Sequence, residues 1–313
     1  MSGIGLVFNP RAGGNKRDPG APRRLARALG DHGVLAVPKS LDELSRAAED
    51  FHRQGITVLG IAGGDGTNHV TLTGFREVYG TTPLPTVAFL RGGTMNTVAN
   101  ALGLPKGKPE GLLDRLVRRY LETPDLATVE RRTLDIDGKL GFLWGIGVVS
   151  GFLKAYYETG APSPWTAVKT LARGIGSTIV NGPMVRRMTE PVEAEVETEG
   201  DGWGYRSYLT LAAGTIPDIG LGFRPFHLAD ELDGAFHLLG IHTSPMGFVT
   251  ELPRIHRAQA MMPGKASSLA IRKATIRTRG NGMSMMIDGD LVEQARSSVK
   301  LSLGPSVRIA TMQ

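Results

Sequence analysis

The chain has 313 residues, 41% of them hydrophobic and 21% charged, with 36 Lys and Arg against 30 Asp and Glu for a formal net charge of +6. That length suggests two domains, and the composition is that of a globular chain, not a disordered one. The absence of cysteine excludes disulfides, thiolate nucleophiles and thiolate metal sites and fits a reducing cytoplasm, while the basic balance favours anionic partners without choosing between nucleic acid and an acidic membrane surface.

In chain order, Met1-Ser2-Gly3 leads straight into an apolar strand at 4–8, with no cleavable signal evident. Amphipathic segments at 21–29, 41–54 and 112–121, with residues 68–76 able to begin a further helix, then alternate with apolar strands at 56–62 and 86–90, the rhythm of a doubly wound α/β domain over residues 1–130. Beyond Thr133 the rhythm changes. Residues 134–139 read as a hairpin, and strand-like runs follow at 192–197, 208–213, 234–241, 268–277 and 299–303, which predicts an antiparallel β domain over 131–303. Helical segments at 164–178 and 245–257, carrying Trp165, Leu171, Ile175, Met246, Phe248, Val249 and Leu252, interrupt it. They read first as helices packed on a sheet and second as walls for an apolar ligand. The uncharged stretches 140–153 and 234–250 fall short of the roughly 20 apolar residues that a membrane span needs. The basic clusters, such as Arg115 to Arg119 and Arg186-Arg187, are short and lack interleaved aromatics, so nucleic acid is not expected as a partner.

Three glycine-rich turns each follow an apolar strand: Asn9-Pro10-Arg11-Ala12-Gly13-Gly14, Gly63-Gly64-Asp65-Gly66-Thr67, and Arg91-Gly92-Gly93-Thr94-Met95-Asn96-Thr97. Glycines let backbone amides approach an anion closely, and the start of a following helix favours phosphate. Parallel strands place their carboxyl-end loops along one sheet edge, so the three turns are expected to converge on a single anionic ligand. No G-x-x-x-x-G-K-[ST] sequence is present, which excludes an ordinary P-loop. Asp65 is placed to hold a metal ion or a water, and Thr67 offers a hydroxyl.

These turns, together with Ala99, the segment from Pro225 to Phe236 around Asp233-Gly234, and Asp288-Gly289-Asp290, resemble the diacylglycerol kinase catalytic-domain family of lipid kinases nearly end to end. The resemblance implies an α/β nucleotide-binding domain resembling NAD kinase, completed by residues 304–313, and a C-terminal β-sandwich for the lipid. It implies ATP and Mg2+ as cofactors, phosphoryl transfer to a lipid alcohol such as diacylglycerol in phospholipid metabolism, and peripheral contact with the cytoplasmic membrane. A homodimer stays open. The family's nucleotide positions map to Asn9, Pro10, Gly13, Gly14, Gly63 to Thr67, Thr94 and Asn96, its metal network to Asp65 and Asp135, a second magnesium turn to Asp233, and its catalytic base to Asp290.

Two departures from the family pattern stand out. Asp290 replaces the family's glutamate with an arm one methylene shorter, and Thr97 stands where many relatives carry aspartate. Asp-Gly pairs at 137–138, 233–234 and 288–289 also read as plain hairpin turns. A kinase of a soluble alcohol, as in the nicotinamide-dinucleotide kinases, and a nucleotide-binding regulatory protein with impaired catalysis therefore remain as alternatives.

Overall fold

The computed structural model describes residues 3–158, 163–179, 190–230 and 234–312. The chain divides into two compact units, Met1–Arg131 with Ser306–Gln313, and Arg132–Pro305.

In the first unit, β1 (Ile4–Phe8), β2 (Gly33–Ala36), β3 (Val58–Ala62) and β4 (Thr86–Phe89) form a parallel sheet in the order β2-β1-β3-β4. Every residue of β1, β3 and β4 is buried, as expected of parallel strands covered on both faces. On one face, α1 (Ala21–Leu29) and α5 (Pro109–Glu122) pack Leu25, Leu29, Leu112 and Leu116 against Ile4, Leu6 and Phe8. On the other, α2 (Leu41–Arg53) and α3 (Asp65–Tyr79) pair through the edge-to-face rings of Phe51 and Phe75, 5.8 Å apart. The start of α2 is set by sequence: Ser40 accepts from the Glu43 amide, an orphan donor of the first turn, and the Glu43 carboxylate reaches back to the Lys39 amide just before the cap. A short α4 (Thr97–Ala101) follows β4. On α5, Arg115, Arg118 and Arg119 form an exposed face. The last strand of the chain pairs parallel to β4, with Ile309 opposite Val87.

The second unit holds β5 (Thr128–Ile136, which enters from the first), β6 (Lys139–Gly141), β7 (Leu143–Gly147), α6 (Val148–Glu158) and α7 (Pro164–Ile179). It continues with β8 (Val192–Thr198), β9 (Trp203–Tyr208), β10 (Thr210–Gly214), β11 (Phe236–Ile241), α8 (Pro245–His256) and β12 (Ala266–Ile271). It closes with β13 (Lys273–Thr278), β14 (Met283–Ile287), β15 (Asp290–Gln294) and β16 (Ser298–Ala310), the last returning to the first unit. One sheet runs β16-β13-β8-β9, with β5 and β6 joined to it at β16; the other runs β12-β11-β10-β7-β14-β15. Their inner faces share one core, including Leu134, Trp144, Val196, Tyr208, Leu211, Phe236, Ile276, Met285 and Val299. Sheet-on-sheet packing with side chains from both faces in a common core makes this unit a β-sandwich.

Three details differ from the expectations. The uncharged stretch 140–153 divides among β6, β7 and the beginning of α6, a helix the periodicity did not reveal. The run 268–277 is two strands in different sheets, and the signal was present: buried or half-buried apolar positions fall at Leu269 and Ile271, then at Ala274 and Ile276, so the alternation skips a phase at Arg272. Finally, α3 begins at Asp65 and not at Asn68, so the end of the glycine turn is already the first turn of a helix.

Candidate active site

The three glycine turns of the first unit meet. Asn9, directly after β1, donates from Nδ2 to Thr67 Oγ1 at 2.9 Å, and its Oδ1 accepts from the Arg11 amide at 2.9 Å. The Gly14 amide donates to the Gly92 carbonyl at 3.1 Å, joining the first turn to the third. The second and third turns touch backbone to backbone: a Cβ on Gly64 would lie 2.9 Å from the Gly93 Cα, and one on Gly93 would overlap the Gly64 Cα. Only glycine permits that approach. Asn96 closes its own turn by accepting from the Gly93 amide at 3.2 Å and donating to the Gly93 carbonyl at 3.1 Å, in a left-handed conformation with φ of 50°. Pro10, Gly13 and Thr94 lie in the same assembly, where a Cβ on Gly13 would strike Thr94 Oγ1.

Because α3 starts at Asp65, the Gly66 and Thr67 amides belong to a first helical turn whose N–H groups lack intrahelical acceptors. They form the positive end of a 15-residue helix, an arrangement suited to phosphate oxygens.

Asp65 has a defined occupation within this cradle. Its Oδ2 accepts from the Thr97 amide at 2.8 Å and its Oδ1 from the Val98 amide at 3.0 Å, so the carboxylate caps the N-terminus of α4. Burial pushes the Asp65 carboxyl pKa above the ordinary range, and these amides, helped by the Thr97 hydroxyl, oppose the shift. Thr97, in place of a second acid, therefore serves as a donor to the first. Among the described residues, no group of three or more His, Cys, Asp or Glu side chains is arranged to hold a metal. The acidic donor set at the cradle is the single carboxylate of Asp65. That fits a magnesium ion that arrives on a triphosphate, since such ions keep waters and phosphate oxygens and take only one or two carboxylates.

The remaining predicted acids lie in the second unit. Asp135 accepts from the Gly138 amide at 2.7 Å, closing the β5–β6 hairpin. The loop residues of that hairpin, Asp137 and Gly138, have φ of 49° and 89°, as a type I′ turn requires. Asp288 and Gly289, with φ of 44° and 86°, form the same kind of turn between β14 and β15, with Ile287 opposite Asp290. Asp288 is buried, and its Oδ1 accepts from the Phe142 and Leu143 amides at 2.9 and 2.8 Å. The Gly289 carbonyl accepts from the Tyr157 hydroxyl of α6 at 2.8 Å. The turn is thus anchored on two sides, and Asp290 follows it at the start of an edge strand. Asp233 and the pair Arg186-Arg187 lie outside the described residues, as do the side chains of Trp165 and Leu171.

Several residues that sequence reasoning passed over prove central. Asn15 is buried and donates from Nδ2 to the carbonyls of Asn9 and Ala62 at 2.9 and 2.8 Å, fixing the first turn on the sheet edge. Arg91, noted before only as part of a turn, makes four hydrogen bonds with its guanidinium. In the second unit, His237 is fully buried, its Nε2 bonded to Ser268 Oγ at 2.6 Å, and burial followed by the nearby His227 lowers its pKa to about 3. A small cavity of about 50 Å³, lined by His227, Leu239, Ile255, Met261 and Ser268 among others, adjoins that histidine's partner.

The first unit thus has three glycine turns interlocked at the carboxyl edge of a parallel sheet, the edge at which open α/β sheets receive ligands, and it is joined in sequence to a β-sandwich. Residues 4–129, most of the first unit, match the family described as the diacylglycerol kinase catalytic domain. A solved structure of a diacylglycerol kinase from Bacillus anthracis is similar at 15% identity with a TM-score of 0.63, covering 99% of this chain and 97% of that one. A second from the same organism, provisionally assigned that activity, gives a TM-score of 0.68 at 15% identity over 99% and 97% of the two chains. The yeast NADH kinase, solved with NADH, is similar at 9% identity and a TM-score of 0.50, covering 99% of this chain and 83% of that one. At these identities the structures establish the shared fold. No curated protein matches this chain in sequence.

Proposed function

We propose that the protein is an ATP-dependent kinase that transfers the γ-phosphoryl group to the hydroxyl of a lipid alcohol of the diacylglycerol type. The observation that carries the reading is the interlocking of three sequence-distant glycine turns at one sheet edge. The match over residues 4–129 supports the kinase class and the lipid acceptor.

In this reading the backbone amides of Gly66 and Thr67, with the turns at Asn9 to Gly14 and Gly93 to Asn96, receive the triphosphate. Asp65 would hold magnesium, which supplies neutralisation of charge on the phosphates when bound. Asp290 takes the proton of the acceptor hydroxyl as its oxygen bonds to the γ-phosphorus and the bond to the β-phosphate oxygen breaks, releasing ADP. The shorter arm of aspartate requires a closer approach or an intervening water. Asp135 and Asp233 are proposed only as further members of the acidic network, Asp135 while also closing its hairpin.

No helix among the described residues is long and apolar enough to cross a membrane. Reaching a lipid then calls for peripheral contact, which the net charge of +6 favours at an acidic cytoplasmic surface, and we assign no nucleic-acid partner.

Radiolabelled ATP, magnesium and a panel of lipid and soluble alcohols test the reading together. Label in a lipid product, absent with Asp65→Ala, is the expected result. Label in a soluble dinucleotide alone rejects the lipid acceptor, and tight ATP binding without transfer to any alcohol leaves a regulatory nucleotide binder.

A further inference from the structure

Arg91 opens the third turn of the cradle with a φ of 50°, a conformation that a non-glycine residue adopts only when its surroundings hold it there. The surroundings are visible. Its Nε donates to the Pro105 carbonyl at 2.7 Å, Nη1 to Asn100 Oδ1 at 2.6 Å, and Nη2 to the Ala99 and Leu104 carbonyls at 3.2 and 2.6 Å. An arginine beside a phosphate-type turn is ordinarily read as a phosphate ligand, because its planar fork suits that anion. Here four of the five N–H groups are already committed to the chain's own oxygens.

Those acceptors belong to the end of α4 and the segment after it, while Asp65 occupies the amides at the helix's beginning. With five residues, α4 is far too short to persist alone, since nucleation is unfavourable and only a few internal bonds follow. Its position is imposed from outside by a carboxylate at its positive end and a guanidinium at its negative end. The turn from Gly92 to Asn96 is strung between Arg91 and α4, and through the Gly92 carbonyl it also holds the first glycine turn. Loss of the guanidinium would free α4, and with it the third wall of the cradle.

We propose that Arg91 is a positioning residue: through α4 it holds the Gly92 to Asn96 turn in its anion-receiving shape, and it does not itself grip phosphate. This rests on the kinase reading for the identity of the anion, though the clamp itself does not.

Hydrogen exchange of the full chain without nucleotide, paired with calorimetric ATP titration, tests both levels. With Arg91→Ala, amides of residues 92–104 are expected to exchange at least tenfold faster while β1 and β3 stay as in the parent, and the Kd for ATP is expected to rise at least tenfold. Millimolar guanidinium should restore part of each by refilling the cage of oxygens. Arg91→Lys keeps the charge with one ammonium for four acceptors and should fall between; it decides the question on the same two readouts if the alanine variant does not fold. Arg24→Ala, which removes a surface pair with Asp18 and Glu110, should match the parent in both. Unchanged protection of 92–104 overturns the proposal, and so does weakened ATP binding with that protection intact, which would make Arg91 a direct ligand. A parent chain that binds no ATP sinks the kinase reading alone, and the exchange measurement still decides the clamp.

Discussion

In the first unit, turns at 9–14, 63–67 and 91–97 are joined by backbone contacts so close that two of them admit only glycine. In the second, the acids at 288 and 290 ride on a single two-residue turn whose twin, at 137–138, closes an ordinary hairpin. The cradle is a long-range construction that few sequences assemble by chance, whereas the acid turn is a local one that many sequences contain. Convergence therefore argues for function in the first unit by itself. Anchoring does not separate the two hairpin turns, since Asp288 and Gly289 are held by Phe142, Leu143 and Tyr157 while Asp137 exchanges two hydrogen bonds with Lys300, so the role proposed for Asp290 rests on the resemblance of its motif.

The contrast breaks most directly at Asp290. Asp290→Ala is expected to lower the rate of phosphoryl transfer by about 10²- to 10⁴-fold, the usual contribution of a general base, with the Kd for ATP unchanged. Transfer at the parental rate would place the base elsewhere. A matched pair of glycine substitutions comes next. Gly93→Ala forces a Cβ onto the Gly64 backbone and should weaken ATP binding by about tenfold, roughly 1.4 kcal/mol. Gly289→Ala, at a φ of 86°, should lower stability in denaturant by about 1–3 kcal/mol while leaving ATP affinity alone.

The units should also answer differently to pH. His237 has a folded pKa lowered to about 3, so its contribution to stability is present above its unfolded value near 6.5 and is lost as pH falls toward 3. All three tryptophans, Trp144, Trp165 and Trp203, fall in the second unit. Their fluorescence during denaturant unfolding should therefore show a loss of at most about 1.4 kcal/mol per pH unit in that window, flattened by His237→Gln. The effect at Asp65 is opposite in sign. Its folded pKa is raised, so its contribution is present below the unfolded value of 3.8 and lost as pH rises through the folded one. Asp65→Asn, which keeps an oxygen to cap α4, should gain stability relative to the parent across that rise, a trend readable by thermal melts at stepped pH.

Much of the architecture was legible because its signals are local. Residues 21–29 carry a clean amphipathic period, and residues 4–8 a continuous apolar run bounded by a turn. The meeting of the three turns was legible as well, from the rule that parallel strands deliver their loops to one edge. What escaped depends on partners far away in sequence. Nothing near Arg91 announces Leu104 and Pro105 as its acceptors, and nothing near Asp65 announces an amide 32 positions later. The beginning of α6 was hidden because residues 140–153 are apolar on every side, so no periodicity marks where strand gives way to helix.

The pairing of Ile309 with Val87 has a kinetic corollary. The flank of β4 stays open during synthesis until a ribosome has added more than two hundred further residues, including the entire sandwich. The nascent α/β portion must wait with a strand edge unfilled, and such edges invite mispairing with other chains. A fragment cut after Arg131 would carry that open flank permanently, so handling the two portions as separable modules leaves the first one unfinished.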